Sequence, residues 1–134
     1  MPLSDRAAVR IGYGLSGVVI LFMLFDGGIK LVPLDMVIET TAQLGYPATA
    51  SFARGLGLLG LFCTALYAIP RTSVLGAILL TGYLGGTVAT HLRVASPILS
   101  HTLFGVYLGI LLWGGLYLRD ERFRSLIPYC RRRT

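Results

Sequence analysis

Residues 72–90 read TSVLGAILLTGYLGGTVAT, and this run holds no Asp, Glu, Lys, Arg or His. Residues 102–118, TLFGVYLGILLWGGLYL, form a second run of the same kind. A helix needs about 20 residues to cross a hydrocarbon core of roughly 30 Å, and both runs are close to that length. Apolar residues fall on all sides of each run, whereas a membrane β-strand would alternate apolar and polar residues. The two runs therefore predict membrane-spanning α-helices.

Two further apolar segments carry charge but are still long enough to span. The first contains Asp26 and Lys30, and the second contains Arg54. Hydrophobic residues make up 54% of the 134 residues and charged residues 13%, which is too little charge for a soluble domain. We predict an all-α fold, a transmembrane four-helix bundle. The predicted single membrane domain, residues 1–134, has its spans at 11–32, 48–69, 72–91 and 99–118.

The connection between the first two spans predicts a short amphipathic helix over residues 34–44. Pro33 suits its start, Gly45 and Pro47 suit its end, and its apolar side chains share one face. Such a helix lies in the membrane interface. The sequence leaves open whether it is a lid over a ligand or a cap without a ligand role.

The positive charges predict the orientation. Four spans place both termini on one side, where nine Arg residues collect, against three Lys or Arg residues on the other side. This asymmetry puts both termini and the basic tail, residues 119–134, in the cytoplasm. The net charge of +6 comes without a folded nucleic-acid-binding module, so we expect no nucleic-acid partner.

Glycines recur where helices are expected to touch. Residues 82–86 and 105–109 both follow the GxxxG pattern, which lets helix backbones approach closely in a membrane. The pattern predicts a tightly packed bundle. It leaves open whether the partner helix belongs to this chain or to a second copy in a homo-oligomer.

Polar residues collect at the span ends that lie away from the termini. Ionisable groups at membrane depth usually face the bundle interior or water and pair with one another, so we take this cluster as a candidate ligand site. Its members are Asp26, Lys30, Arg54, Thr87, His91, Arg93 and His101.

Each member also has a structural explanation. Asp26 and Lys30 are four residues apart in the favourable order for an intrahelical ion pair. An arginine at a span end can reach lipid phosphates, and each histidine can be a hydrogen-bonded interfacial residue. Because Arg93 would point away from His91 on a continuous helix, we predict that the third span ends near Thr90 and that Arg93 turns back over the mouth of the bundle.

Several chemistries lack support in the sequence. It contains no Gly-rich phosphate loop, no CxxC and no carboxylate pair beside a histidine with metal-ligand spacing, so we expect no metal site. Cys63 has no neighbouring base or cation to activate it. His91 and His101 could in principle ligate a haem, although a bundle mouth is an unusual place for one.

Five blocks of sequence carry a family resemblance: Leu24-Phe-Asp-Gly-Gly-Ile-Lys30, Leu44-Gly-Tyr-Pro47, Ala68-Ile-Pro-Arg-Thr72, residues 80–93 and Leu112-Trp-Gly-Gly-Leu-Tyr-Leu-Arg-Asp120. Together, over residues 9–128, they resemble the DoxX-like family of small bacterial four-helix membrane proteins. The resemblance implies kinship with small subunits of a quinone-linked oxidoreductase acting on thiosulfate or of a terminal quinol oxidase, and with proteins that help others assemble. Many relatives have a Glu where this chain has Gly60, so a role that depends on that carboxylate would be absent.

The resemblance leads to the hypothesis of a quinone-associated protein, or a small subunit of a membrane redox complex, in the bacterial inner membrane. His91 would exchange a proton with a quinone carbonyl, since imidazole titrates near neutral pH. Arg93 or Arg54 would stabilise the anionic oxygen, and Asp26 with Lys30 would orient the site. The chain has no cofactor motif of its own, so a bound quinone or a redox partner subunit would supply the redox centre. Two alternatives remain: a non-catalytic scaffold or assembly factor that binds lipid or a partner helix, and a membrane enzyme that performs proton-transfer chemistry on an apolar substrate.

Overall fold

The computed structural model describes residues 5–32 and 35–126. These residues form six α-helices, a π-helical turn and no strands, which confirms the predicted all-α fold. Four helical segments are each long and apolar enough to cross a membrane. The helices are α1 (Asp5–Leu31), α2 (Asp35–Gln43), α3 (Ala50–Ala68), α4 (Ser73–Arg93), α5 (Phe104–Arg119) and α6 (Glu121–Leu126), with the π-helical turn at Ile98–Thr102 preceding α5.

The four long helices run up and down in a ring. Helix α1 packs against α3 and α5, and α4 packs against the same two helices from the opposite side. One end of the bundle, here called the terminal end, holds the start of α1 and the end of α5. The other, the lid end, carries α2. The fully buried core side chains lie between these ends and include Val19, Met23, Tyr67, Leu80 and Leu112.

Most of the glycines at which helices touch lie outside the GxxxG patterns. A Cβ on Gly12 would lie 2.7 Å from the backbone nitrogen of Arg119, and one on Gly57 would lie 2.9 Å from the carbonyl oxygen of Gly27. Gly105 approaches the Leu84 carbonyl in the same way. By contrast, a Cβ would meet nothing within 4 Å at several glycines of α4 and α5: Gly82, Gly85, Gly86 and Gly109. Space rather than contact surrounds those four positions.

A buried polar network closes the terminal end. The Tyr67 hydroxyl donates to the Leu112 carbonyl oxygen at 2.7 Å and lies 2.9 Å from Ser16 Oγ. Arg119 donates to the Tyr67 carbonyl oxygen at 2.9 Å, and its guanidinium lies 4.9 Å from the Tyr67 ring centre. The network joins α1, α3 and α5, so it fixes the bundle at the end opposite the lid.

Helix α4 continues to Arg93, so the prediction that it ends near Thr90 is wrong. Arg93 does not need to face His91, because from the continuous helix it donates to the Leu44 carbonyl oxygen at 2.7 Å. The Thr90 hydroxyl donates within the helix to the Gly86 carbonyl oxygen at 2.7 Å. The chain leaves the helix only where Ala95 adopts a left-handed backbone with φ 55°.

Two predicted features extend beyond the described residues. The predicted interfacial helix appears as Asp35–Gln43, whereas Pro33 and Leu34 lie outside the described part of the chain. The predicted tail contains α6, which Asp120 caps by accepting hydrogen bonds from the Arg122 and Phe123 amides. Residues 127–134, with Cys130 and the three consecutive arginines, also lie outside the described part of the chain.

Candidate ligand-binding site

A cavity of about 590 Å³ occupies the lid end of the bundle. Its walls are mostly apolar, as in small-molecule sites generally, and a few polar groups converge on it. Helices α1 and α4 supply most of the wall, α2 covers it, and α3 and α5 complete it. The apolar wall includes Phe22, Met23, Leu56, Phe104 and Leu108, and the polar groups include Asp26, Lys30, Tyr83, Thr87 and His91.

The strongest polar feature of the cavity is an ion pair joined to a tyrosine. Lys30 Nζ donates to Asp26 Oδ2 at 2.7 Å and to the Tyr83 hydroxyl oxygen at 3.0 Å. The Lys30 and Asp26 side chains are 21% and 24% exposed. Because Tyr83 accepts from Lys30, and no other residue of the described chain bonds its hydroxyl, its proton is free to be donated to a ligand. Asp26 Oδ1 is likewise without a partner within residues 5–32 and 35–126.

Helix α2 forms a lid that is held at its C-terminal end. Arg93 Nη2 donates to the Leu44 carbonyl oxygen at 2.7 Å, just beyond the end of the helix. Gly45 follows with φ +85°, a left-handed conformation that suits glycine at a helix terminus. Tyr46 then reaches Thr90 Oγ1 at 2.8 Å. The lid is thereby tied to the last turn of α4.

Two histidines meet beside the cavity. His91 lines it, and its Nδ1 lies 2.9 Å from Ser96 Oγ. His101 is exposed on the π-helical turn, where its Nδ1 lies 2.8 Å from Ser100 Oγ. The ring centres are 5.9 Å apart in an edge-on arrangement. Each serine orients one imidazole, and the pair connects the cavity wall with the surface.

The structure brings together four of the seven predicted site residues. Asp26, Lys30, Thr87 and His91 line the cavity, whereas Arg54, Arg93 and His101 do not. Arg54 Nε donates to the carbonyl oxygen of Leu31 at 3.2 Å, at the end of α1. Both arginines therefore bind free carbonyls at helix C-termini, a favourable place for a cation.

Sequence reasoning missed Tyr83, Tyr46 and the lid contact of Thr90. The three residues lie in or beside apolar segments, and the residues that they contact are far away in the sequence. One signal was available, because a tyrosine hydroxyl inside an apolar span needs a hydrogen-bond partner. Lys30, the only lysine of the sequence, was the natural candidate.

The arrangement can hold a polar head group inside an apolar chamber. Lys30 and Tyr83 offer donors, and Asp26 and His91 offer an acceptor and a group that exchanges protons. The carboxylate balances the ammonium, so this part of the wall has no net charge. Within the described residues, no three His, Cys, Asp or Glu side chains come together as a metal site would require.

The fold and the cavity define a multi-pass helical membrane protein with a cavity beneath the lid helix. The chain belongs to the DoxX-like family, whose model matches residues 14–115. That range contains every polar residue of the cavity wall and the whole lid. No curated protein and no solved structure gives a significant match to the chain.

Proposed function

We propose that this protein binds a lipophilic molecule with a neutral, carbonyl-bearing head in the lid-end cavity, and that the molecule is a quinone. The observation that carries the proposal is the pair of donors, Lys30 Nζ and the Tyr83 hydroxyl, which are 3.0 Å apart in a mostly apolar wall. Two converging donors suit a carbonyl oxygen. The apolar wall suits the ring and the first part of an isoprenoid tail.

Charge balance favours a neutral head over an anionic one. The Asp26 carboxylate lies 2.7 Å from Lys30 Nζ, so a fatty acid or phospholipid phosphate at Lys30 would also meet a negative charge. Like charges in a low-dielectric site repel strongly. A quinone carbonyl avoids this cost and still accepts both hydrogen bonds.

In this proposal His91 exchanges protons with the quinone and Lys30 stabilises its developing negative oxygen. Lys30 takes the role that the sequence suggested for Arg54 or Arg93, because those two side chains bind the Leu31 and Leu44 carbonyls instead. The His91 ring lies in the cavity wall and contacts His101. Protons would pass between the cavity and the outer surface along this pair.

The cellular setting follows from the charge asymmetry. With both termini in the cytoplasm of a bacterial cell, the lid and the cavity face the outer side of the inner membrane. The electrons would come from or go to a redox partner subunit. The protein is then a quinone-binding subunit of a membrane redox complex.

Two neighbouring glycines of α4 give a matched test. Gly86 lines the cavity, whereas Gly85 lines the groove between α4 and α5, and a Cβ at either position meets nothing within 4 Å. Gly86→Leu should place its side chain in the cavity and weaken the binding of a short-chain quinone to the purified protein at least tenfold. Gly85→Leu should leave the affinity unchanged. Equal affinities for the two variants would reject this cavity as the quinone site.

His91→Ala separates the head-group contact from the filling of the cavity. The variant should remain folded, because His91 lies at the lid end of the bundle and outside its core. It should bind quinone more weakly than the parent when the two are compared at equal thermal stability. An unchanged affinity would remove His91 from the site and favour a scaffold that holds lipid without proton exchange.

A further inference from the structure

We propose that Lys30 is a covalent attachment site, where the amine condenses with an apolar aldehyde to form an imine. This activity uses the same cavity as the proposed quinone but does not depend on quinone binding. Lysine amines form such imines with carbonyl compounds when they are desolvated and have acid and base groups beside them.

The sequence singles out this amine. Lys30 is the only lysine among the 12 Lys and Arg residues of the chain, and every other cation is an arginine. An arginine could form the same ion pair with Asp26 and with better hydrogen-bond geometry. The arginine guanidinium stays protonated and does not form an imine with a simple aldehyde. The one position that has lysine is the cation in the cavity wall.

The surroundings of the amine supply the groups that imine formation requires. Asp26 Oδ2, 2.7 Å from Nζ, can take the proton that the ammonium must lose before it attacks. The Tyr83 hydroxyl, 3.0 Å from Nζ, has a free proton for the carbonyl oxygen. Phe22, Phe104 and other apolar side chains line most of the cavity and can hold a long hydrocarbon chain.

The reaction balances without an oxidant or a reductant. Lys30 transfers one proton to Asp26, and the neutral amine attacks the aldehyde carbon while the carbonyl electron pair moves to oxygen. That oxygen takes the Tyr83 proton, and the nitrogen returns a proton to Tyr83. Asp26 then protonates the new hydroxyl group, which leaves as water as the carbon–nitrogen double bond forms. The product is a protonated imine paired with the Asp26 carboxylate.

The test compares two proteins that have the same composition but carry the amine in different places. In the double variant Lys30→Arg, Arg54→Lys the amine moves to an exposed position outside the cavity. Both proteins are incubated in detergent with hexadecanal and cyanoborohydride, and the alkylated residue is identified by mass spectrometry. Accessibility alone predicts faster labelling of the exposed amine. The proposal predicts the reverse, with Lys30 labelled at least about tenfold faster.

Two further variants test the acid and base roles. Asp26→Asn and Tyr83→Phe should each slow labelling of Lys30, by about 100-fold where proton transfer limits the rate. Thermal unfolding in the same detergent checks that each variant is folded. If Asp26→Asn is unstable, the labelling rate of Tyr83→Phe tests the proposal, because this substitution removes a single oxygen atom. Labelling of Lys30 no faster than that of the exposed amine, or unchanged in Tyr83→Phe, would overturn the proposal. Quinone affinity of the unlabelled protein is measured separately, so the two proposals can fail independently.

Discussion

Replacing Asp26 by Asn should destabilise the protein because it leaves the Lys30 ammonium partly buried without its counter-charge. Removing one partner of a fully buried ion pair costs about 3–5 kcal/mol. The two side chains here are 21% and 24% exposed, and Tyr83 remains as a hydrogen-bond acceptor for Lys30. We therefore expect a loss near the lower limit, about 3 kcal/mol in the free energy of unfolding.

A double-mutant cycle isolates the ion-pair contribution. Lys30→Met in the Asp26→Asn background removes the stranded charge and fills the apolar wall, so it should recover about 2 kcal/mol of the loss. The coupling energy between the two sites is this recovery plus the loss that Lys30→Met causes alone. Unfolding of all four proteins is followed in detergent against denaturant concentration. Glu39→Gln on the exposed face of the lid is the control and should stay within about 0.5 kcal/mol of the parent. A coupling energy below about 0.5 kcal/mol would show that the pair does not stabilise the cavity wall.

Three other predictions concern the terminal end, the lid and the orientation. Tyr67→Phe removes a fully buried hydroxyl that donates to a backbone carbonyl, so unfolding in detergent should show a loss of about 1–3 kcal/mol, and no loss would exclude the network as a stabilising contact. Arg93→Ala frees the carbonyl at the end of the lid, so hydrogen exchange should become faster in α2 and stay unchanged in the core helices. A phosphatase reporter that works only outside the cytoplasm should be active when fused after Gln43 and inactive when fused after Thr134. The opposite activities would reverse the orientation.

The sequence was sufficient for the spans because each is a run of apolar residues of bilayer length. It was less informative about where helices begin and end. Helix α1 starts at Asp5, whereas the predicted first span starts at residue 11. The two differ because charged residues such as Arg6 and Arg10 lower the hydropathy without interrupting a helix. Helix α4 passes through Thr90 and ends at Arg93, whose side chain reaches the Leu44 carbonyl oxygen without a break in the helix.

The candidate site could be predicted only where its residues share a helix or stand out by charge. Asp26 and Lys30 are four residues apart, so their ion pair follows from helical spacing. Tyr83 lies 53 residues beyond Lys30 in the sequence and is counted among the hydrophobic residues. Only the packing of the folded bundle brings the two side chains together. The carbonyl contacts of Arg54 and Arg93 likewise depend on where the ends of α1 and α2 lie in the folded bundle.

The packing glycines illustrate a third limit. The GxxxG patterns mark positions where backbones can approach, but the crossing of the helices determines which glycines are used. Gly105 is used within the chain, whereas Gly82 and Gly86 instead open space in the cavity wall. The same residue type therefore serves close contact at one position and ligand space at another.

The central claim is that the lid-end cavity holds a lipophilic ligand with a neutral carbonyl head. The most direct measurement is extraction of the lipids that accompany the purified protein, followed by mass spectrometry of the parent and of Gly86→Leu. We expect a quinone in near-stoichiometric amount with the parent and its depletion from Gly86→Leu, whose side chain occupies the cavity. Phospholipid alone, in equal amount with both proteins, would contradict the claim.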